Sequence, residues 1–398
     1  SPPTWFDEGI YLQAAMNDTL HDAQVLQIAP DTYASTAFVT GGFPFLKPIS
    51  WSFDLFGIGL LQARIVMVAF ILACAAAFFA LMRTLFGTNV ALASLLLLAT
   101  FPPLYGQGKN VLGEVPGLFF FSAFLLIVSI LEKRRFEGAW LYVLGGLMLG
   151  LCVSTKPIFF LAGGAIVIAL IAHHRTMIFQ WRMIVLSFAA FMIPLSFWLM
   201  HQFGNGDTVP QVLGYYANPY DVRDLNAQMF DNAMRFFREM SPMYFLGLLV
   251  LWIASYAVRI KNRETIPLAE TIAISFAVLV LIAYLRTAGW YRYYFVAEVP
   301  ALVFAPYALQ VLAREIWHHR YATYAATAVI AILVLMQSYQ LLFTSWVATH
   351  AHRTTSRDIA AYMATLPPES SFYVFNVPAA VIFLPNQNYY QYFELTPI

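Results

Sequence analysis

Long apolar stretches separated by short polar segments follow one another along most of the chain. A membrane-spanning helix needs about 20 predominantly apolar residues. The pattern predicts about ten such spans, near residues 60–84, 89–107, 112–131, 139–155, 157–173, 183–202, 242–260, 266–286, 293–313 and 321–346. We therefore expect an all-α polytopic membrane protein.

Composition supports this expectation over the whole length of the chain. Of 398 residues, 60% are hydrophobic and only 11% are charged, whereas soluble domains carry about 25% charged residues. The net charge of +1 gives no electrostatic basis for binding nucleic acid. Cys74 and Cys152 lie in apolar runs and are interpreted as core thiols. Membrane lipids are therefore expected partners and nucleic acid is not.

Basic residues in the short connections predict the orientation of the spans. Short loops rich in Lys and Arg mark the cytoplasmic side, and all such loops fall on one side: Lys133–Arg135, Arg175 and Arg182, Arg259–Arg263, and Arg314 with Arg320. The remaining loops then face the periplasm or the cell exterior. An even number of spans places both ends outside, so we expect one further helix ahead of residue 1.

This topology divides the chain into alternating external and membrane regions. The predicted regions are an external loop with interfacial helices at 1–57, spans at 58–203, a second external loop at 204–241, spans at 242–348 and an external C-terminal segment at 349–398. A helix is expected near 8–20, and 226–240 has an amphipathic pattern typical of the membrane interface. The C-terminal segment is predicted to be small and α/β, with a helix at 357–366 and a strand at 371–377.

Ionisable side chains are rare near the predicted membrane, where they are costly and by default functional. Most fall on the external side, from at least five separate segments: Asp7, Glu8, Lys47, Arg64, Lys109, Glu114, Lys156, Arg286, Arg292 and Glu298. We expect one external cavity that contains carboxylates and cations. Glycosyl transfer from a lipid-phosphate sugar needs this mixture, because a carboxylate takes the proton of the acceptor hydroxyl and cations stabilise the departing phosphate.

Each of these residues also has a purely structural explanation. Thr4 and Asp7 have the spacing of a helix capping box, and Glu114 is placed as a helix N-terminal acid. The cations have interfacial alternatives: snorkelling for Lys156 and Arg64, and an aromatic belt for Arg292. Adjacent residues point in different directions, so at most one of Asp7 and Glu8 points squarely into a site.

Five stretches in order carry a resemblance to a known class: WFDEGIYLQAA, FPFLKPISWSFDLFGIGLLQAR, NVLGEVPGLFFF, GLCVSTKPIFFL and RYYFVAEVPALVFA. The chain resembles the GT-C class of integral membrane glycosyltransferases, and within it the bacterial aminoarabinose lipid A transferases and the protein O-mannosyltransferase-like group. Two departures are the first helix of the class, which we expect ahead of residue 1, and Ile49, which replaces a second Pro; Glu114, where many members have Asp, is a milder one. The resemblance covers residues 1 to about 310.

The resemblance implies roles for the matched residues. Asp7 matches the acid that the class treats as catalytic, Glu8 its companion, and Glu114 its second acidic motif. The residues expected to bind the donor phosphate are Lys47, Lys156 and Arg292, with Arg64 and Tyr293 in support. Three nearby carboxylates also offer the oxygen ligands of Mg²⁺ or Mn²⁺, so a divalent cation is left open as a cofactor.

The resemblance implies an inverting hexosyl- or pentosyltransferase that uses a sugar on undecaprenyl or dolichyl phosphate. We expect it in the bacterial inner or plasma membrane, with a hydroxyl of a lipid, glycan or protein as the acceptor. Asp7 is the expected general base. A flippase for a lipid-linked sugar and a non-catalytic subunit of a membrane complex are the alternatives. Transporters often contain internal repeats, and the sequence has none.

Overall fold

The computed structural model describes residues 6–34, 41–173, 181–203, 224–317, 319–350 and 352–392. The capping box predicted from Thr4 lies outside these residues, as does the segment 204–223 of the second predicted external loop. Within the described residues the fold is a bundle of apolar helices with two small sheets.

The apolar stretches form the body of the bundle. Its helices are α3 (Leu60–Phe86), α4 (Thr88–Thr100), α5 (Pro102–Gly108), α6 (Glu114–Lys133), α7 (Ala139–Thr155), α8 (Leu161–Ala172), α9 (Trp181–Phe203), α11 (Met240–Lys261), α12 (Leu268–Tyr284), α13 (Arg292–Ile316) and α14 (His319–Tyr339). The most extensive packing joins α7 with α9, α3 with α6, and α6 with α7. Helix α3 ends at Gly87, whose φ of 91° is a backbone conformation that glycine adopts readily.

Six of the described helices are long and apolar enough to cross a membrane, and α4 with α5 adds a seventh if that bent pair is one span. The pair bends by 62° where Pro102 begins the second helix. Three other predicted spans coincide with shorter apolar helices at Ala139–Thr155, Pro157–Ala172 and Leu268–Tyr284. A 17-residue helix such as α7 is about 26 Å long, below the thickness of a typical bilayer core. The number of ten spans therefore stays a prediction.

The remaining elements gather at one end of the bundle. They are α1 (Phe6–His21), β1 (Leu26–Ala29), β2 (Thr32–Ala34), α2 (Phe43–Phe56), α10 (Leu225–Arg238), α15 (Trp346–His350), α16 (Thr355–Met363), β3 (Phe372–Phe375) and β4 (Tyr389–Tyr392). Strands β1 and β2 pair antiparallel, and β3 and β4 pair parallel. Helix α10 is capped by Asp224, whose Oδ1 accepts a hydrogen bond from the Ala227 N–H at 3.0 Å.

Helix α1 is packed between the bundle and the C-terminal segment, and most of its residues are buried. A Cβ atom on Gly9 would lie 2.2 Å from the backbone N of Ala379, so only glycine allows this approach. One turn further on, the Gln13 side chain donates to the Pro378 carbonyl at 3.0 Å and to Gln391 at 2.8 Å. These contacts fix the position of the helix that carries Asp7 and Glu8.

A second close approach joins α2 to the end of α7. The Gly42 N–H donates to the Thr155 carbonyl at 3.1 Å, and a Cβ atom on Gly42 would lie 1.7 Å from the Ser154 carbonyl oxygen. Any side chain at residue 42 would therefore push the backbone before Lys156 away.

Candidate active site

Three ion pairs lie where the first turn of α1 meets the bundle. Each joins elements that are distant along the chain: Asp7–Arg292, Glu8–Arg64 and Glu114–Lys156. We call this end of the bundle the site end. Six of the ten charged residues that the sequence assigns to one external cavity are therefore paired at this end.

Asp7 and Glu8 follow each other on α1 but bind different partners. Successive residues of an α-helix are rotated by about 100° around its axis. Asp7 therefore reaches Arg292 at the start of α13, and Glu8 reaches Arg64 on α3. One turn of helix thus ties together two sides of the bundle.

The Glu8–Arg64 pair is closed. The Arg64 Nε and Nη2 atoms donate to the two Glu8 oxygens at 3.0 and 2.9 Å, and the Val111 N–H donates to Glu8 Oε1 at 3.2 Å. The Glu8 side chain is 0% exposed and that of Arg64 is 10% exposed. Such bidentate geometry holds both groups in one orientation, so this pair fixes α1 against α3.

The Asp7–Arg292 pair is open. Its side chains are 28% and 21% exposed, so both can be reached from outside the protein. The Arg292 guanidinium lies 4.8 Å from the centre of the Trp290 ring, and its Nη2 donates to the Tyr293 hydroxyl at 3.2 Å. Arg292 is therefore held by aromatic rings on one side and presents its charge to Asp7 on the other.

The Glu114–Lys156 pair is buried, with side chains that are 2% and 8% exposed. Glu114 begins α6, and Lys156 directly follows α7. Lys156 donates to Glu114 Oε1, while Oε2 is buried and accepts no hydrogen bond from the residues that the structure describes. Lys156 also interacts electrostatically with Tyr11 of α1 and Tyr293 of α13, which places this pair next to the Asp7–Arg292 pair.

Lys47 is the predicted phosphate-binding residue that the structure does not bring to these pairs. Its ammonium binds Asp18 Oδ2 at 2.9 Å. Asp18 lies three turns along α1 from Asp7, or about 16 Å along the helix axis. A role for Lys47 in binding the donor stays a prediction.

The three carboxylates proposed as ligands of a divalent cation each face a different cationic side chain. In the described part of the chain, no three His, Cys, Asp or Glu side chains are grouped so as to hold a metal ion. A divalent cation stays a prediction of the sequence.

Lys109 is a residue of this site to which no sequence motif assigns a role. It directly follows α5, two residues before the Val111 that binds Glu8. Its Nζ is buried with no hydrogen-bond acceptor among the described residues and lies 4.5 Å from the centre of the Trp346 ring. Burial and then the charge of Arg64 lower the pKa of Lys109 to about 8, against the opposing effect of Glu8.

The fold is that of known membrane glycosyltransferases. ArnT from Cupriavidus metallidurans in the apo state is similar with a TM-score of 0.64 and 14% identity, over 95% of this chain and 79% of that chain. ArnT from the same organism bound to undecaprenyl phosphate is similar with a TM-score of 0.67 and 16% identity. The match covers 98% of this chain and 82% of that chain. A third similar structure is the archaeal oligosaccharyltransferase AglB from Archaeoglobus fulgidus in complex with an inhibitory peptide and a dolichol-phosphate. Its TM-score is 0.57 at 11% identity, and the match covers 97% of this chain and 60% of that chain.

These similarities show the GT-C fold that the sequence resemblance predicted, and the long apolar helices support an integral membrane protein. Residues 47–201 also match the family described as dolichyl-phosphate-mannose-protein mannosyltransferase. None of the curated protein sequences compared with the chain matches it.

Proposed function

We propose that the protein is an inverting glycosyltransferase that moves a sugar from a polyprenyl phosphate to the hydroxyl of a lipid, glycan or protein. One observation carries the proposal: of the three ion pairs, the Asp7–Arg292 pair is the one open to the exterior of the protein. A carboxylate that can accept a proton and a cation that can bind a phosphate are therefore accessible at one point.

Asp7 acts as the general base in this proposal. The acceptor hydroxyl gives its proton to the Asp7 carboxylate while its oxygen attacks the anomeric carbon of the sugar. The attack comes from the face opposite the phosphate, so the bond between the anomeric carbon and the phosphate oxygen breaks with inversion. Both electrons of that bond leave with the polyprenyl phosphate, which needs no proton from a general acid.

Arg292 stabilises the negative charge that develops on the departing phosphate. In the structure its guanidinium binds Asp7, so donor binding would draw it towards the phosphate and free a carboxylate oxygen for the acceptor. Lys156 uses its ammonium on a single Glu114 oxygen and retains protons to donate to the same phosphate.

Glu114 orients the acceptor in this proposal. Its Oε2 atom is the carboxylate oxygen that accepts no hydrogen bond from the described residues, and a buried unpaired oxygen is unfavourable. A second hydroxyl of the acceptor, or its attacking hydroxyl, would satisfy that oxygen. The same step would place the acceptor between Glu114 and Asp7.

We infer that the site faces the periplasm or exterior of a bacterial inner or plasma membrane. The basic loops support this orientation, because Lys133–Arg135 lies at the end of α6 and Arg259–Arg263 at the end of α11, both opposite Asp7. Short basic loops mark the cytoplasmic side. The polyprenyl tail would then lie in the bilayer while the phosphate and sugar reach the site from the outer leaflet.

Transfer of labelled sugar from a synthetic polyprenyl-phosphate donor by the purified protein tests the proposal. Asp7→Asn should abolish transfer, while Asp31→Asn, an exposed acid at a positive φ of 56° that Asn also tolerates, should leave it unchanged. Full activity in Asp7→Asn would contradict the assignment of the base. Movement of the donor across liposomes without cleavage of the glycosidic bond would instead favour a flippase.

A further inference from the structure

Lys109 is a cation of the site that belongs to none of the three ion pairs. Three carboxylates meet three cations in the ion pairs, and Lys109 adds one positive charge that no described carboxylate pairs with: Asp7, Glu8 and Glu114 against Arg64, Lys156, Arg292 and Lys109. Lys109 lies beside the Glu8–Arg64 pair, because it interacts electrostatically with both of these residues.

Lys109 has the environment of an ammonium without its ligand. A buried ammonium normally donates hydrogen bonds to several acceptors, yet Nζ of Lys109 donates to none among the described residues. The Trp346 ring at 4.5 Å offers a cation–π contact, which covers one face of the ammonium and leaves its other protons unused. The neighbouring carboxylate of Glu8 is taken up by Arg64 and Val111.

Each of the other cations of the site is already paired with a carboxylate. Arg64 is locked to Glu8, and Arg292 and Lys156 must each share their charge with a carboxylate before they meet a substrate. An incoming phosphate would compete with those carboxylates, whereas at Lys109 it would displace no described hydrogen-bond partner.

We propose that Lys109 is a further binding residue for the phosphate of the lipid-linked donor. The proposal rests on the glycosyl transfer proposed above and adds to it a residue that presents an unshared charge before donor binding. Lys109 binds the phosphate first through charge-assisted hydrogen bonds, and Trp346 keeps the ammonium in place. The residue positions the donor and takes no proton in the reaction.

Equilibrium binding of undecaprenyl phosphate to the purified full chain in detergent tests this proposal without catalysis. Lys109→Met should raise the Kd for undecaprenyl phosphate about ten- to hundredfold, the worth of a hydrogen bond between charged groups. Lys109→Arg should keep the Kd within about threefold. Arg83→Met, which removes one exposed charge from the other end of α3, should leave it unchanged.

Two further ligands separate phosphate recognition from other effects. Undecaprenol, which lacks the phosphate, should bind Lys109→Met and the unaltered protein alike. Phosphatidylglycerol should compete with undecaprenyl phosphate only weakly. The melting temperature of Lys109→Met should equal or exceed that of the unaltered protein, because the substitution removes a buried charge that has no hydrogen-bond partner among the described residues.

Several results would overturn the proposal. An unchanged Kd for undecaprenyl phosphate in Lys109→Met would do so and leave the proposed transferase intact. An equal loss of undecaprenol binding would show a structural role, and equal competition by phosphatidylglycerol would assign Lys109 to bulk lipid. Absence of undecaprenyl phosphate binding by the unaltered protein would contradict both this proposal and the proposed transferase.

Discussion

Two buried or half-buried Arg–carboxylate pairs occupy opposite ends of α12 and α13, and they differ in what surrounds them. At the site end, Asp7 and Arg292 are 28% and 21% exposed. At the other end, Arg259 and Glu270 are 2% and 0% exposed. Arg259 Nη1 donates to both Glu270 oxygens at 2.8 and 2.6 Å.

The second pair is buried, although Arg259 Nε donates no hydrogen bond to the described residues. Trp252 donates its indole N–H to Glu270 at 3.3 Å, and the Arg259 guanidinium lies 4.9 Å from the centre of the Tyr307 ring. The same two kinds of side chain therefore hold α11, α12 and α13 together at one end and remain accessible at the other. Accessibility, rather than the presence of an ion pair, therefore distinguishes the site end from the other end of the bundle.

Glu270→Gln should have the largest effect on stability. Removing one partner of a buried ion pair leaves the other charge uncompensated and costs about 3–5 kcal/mol. We expect a clear fall in the melting temperature of the purified protein, with unchanged sugar transfer per folded molecule. Arg259→Met combined with Glu270→Leu should recover most of the lost stability. A double variant as unstable as Glu270→Gln would contradict the assignment of the loss to an uncompensated buried charge.

Arg292→Gln should have the next largest effect, and it should act on catalysis. Loss of one preorganised group that stabilises developing charge costs about 10²- to 10³-fold in kcat. Because the pair is partly exposed, the melting temperature should change little. Single-turnover transfer with saturating donor measures the rate, and a drop in stability like that of Glu270→Gln, with kcat preserved, would assign Arg292 a structural role.

Gly42→Ala should disturb the site end alone. A Cβ atom would lie 1.7 Å from the Ser154 carbonyl oxygen, so the backbone before Lys156 must shift, at a cost of about 1–3 kcal/mol. We expect lower stability and weaker donor binding. Gly247→Ala in α11, where a Cβ atom meets nothing within 4 Å, is the matched control and should preserve both. Equal behaviour of the two variants would contradict the close packing of α2 on α7.

The affinity for undecaprenyl phosphate should depend on pH through Lys109, with the smallest effect of the series. Its pKa is lowered to about 8, so the ammonium is charged below pH 8 and neutral above it. The facing charges are Arg64 and Glu8, and His350 stacks on Trp346. Between pH 7 and 9.5, where the phosphate stays doubly charged, the Kd should rise about tenfold.

Lys109→Arg is the control for this pH dependence. An arginine stays protonated over the whole range, so the Kd of the variant should be flat between pH 7 and 9.5. A Kd that rises equally in both proteins would exclude Lys109 as the titrating group.

The helices of the bundle were predictable from the sequence for a physical reason. Apolar runs must be helical in a bilayer because every backbone group needs an internal hydrogen bond. The helix near 8–20 follows from its local pattern and is present as Phe6–His21. The short helices such as α12, with 17 residues, show why a count of spans does not follow from hydropathy alone.

The ion-pair partners and the solvent exposure of the charged side chains were not predictable, because both depend on packing between distant segments. Asp7 and Arg292 lie far apart along the chain, and the neighbours Asp7 and Glu8 differ in exposure only through what covers them. Lys109 carried one usable signal, its position between two apolar stretches. Nothing in the sequence indicates that its ammonium would have no described hydrogen-bond acceptor.

The most direct test of the account is sugar transfer measured side by side for Asp7→Asn and Glu270→Gln, normalised to folded protein. A positioned general base contributes about 10²- to 10⁴-fold to the rate. We expect the transfer rate of Asp7→Asn to fall by this factor with a nearly unchanged melting temperature. In Glu270→Gln we expect a lower melting temperature with an unchanged transfer rate. Transfer by Asp7→Asn at the rate of the unaltered protein would contradict it.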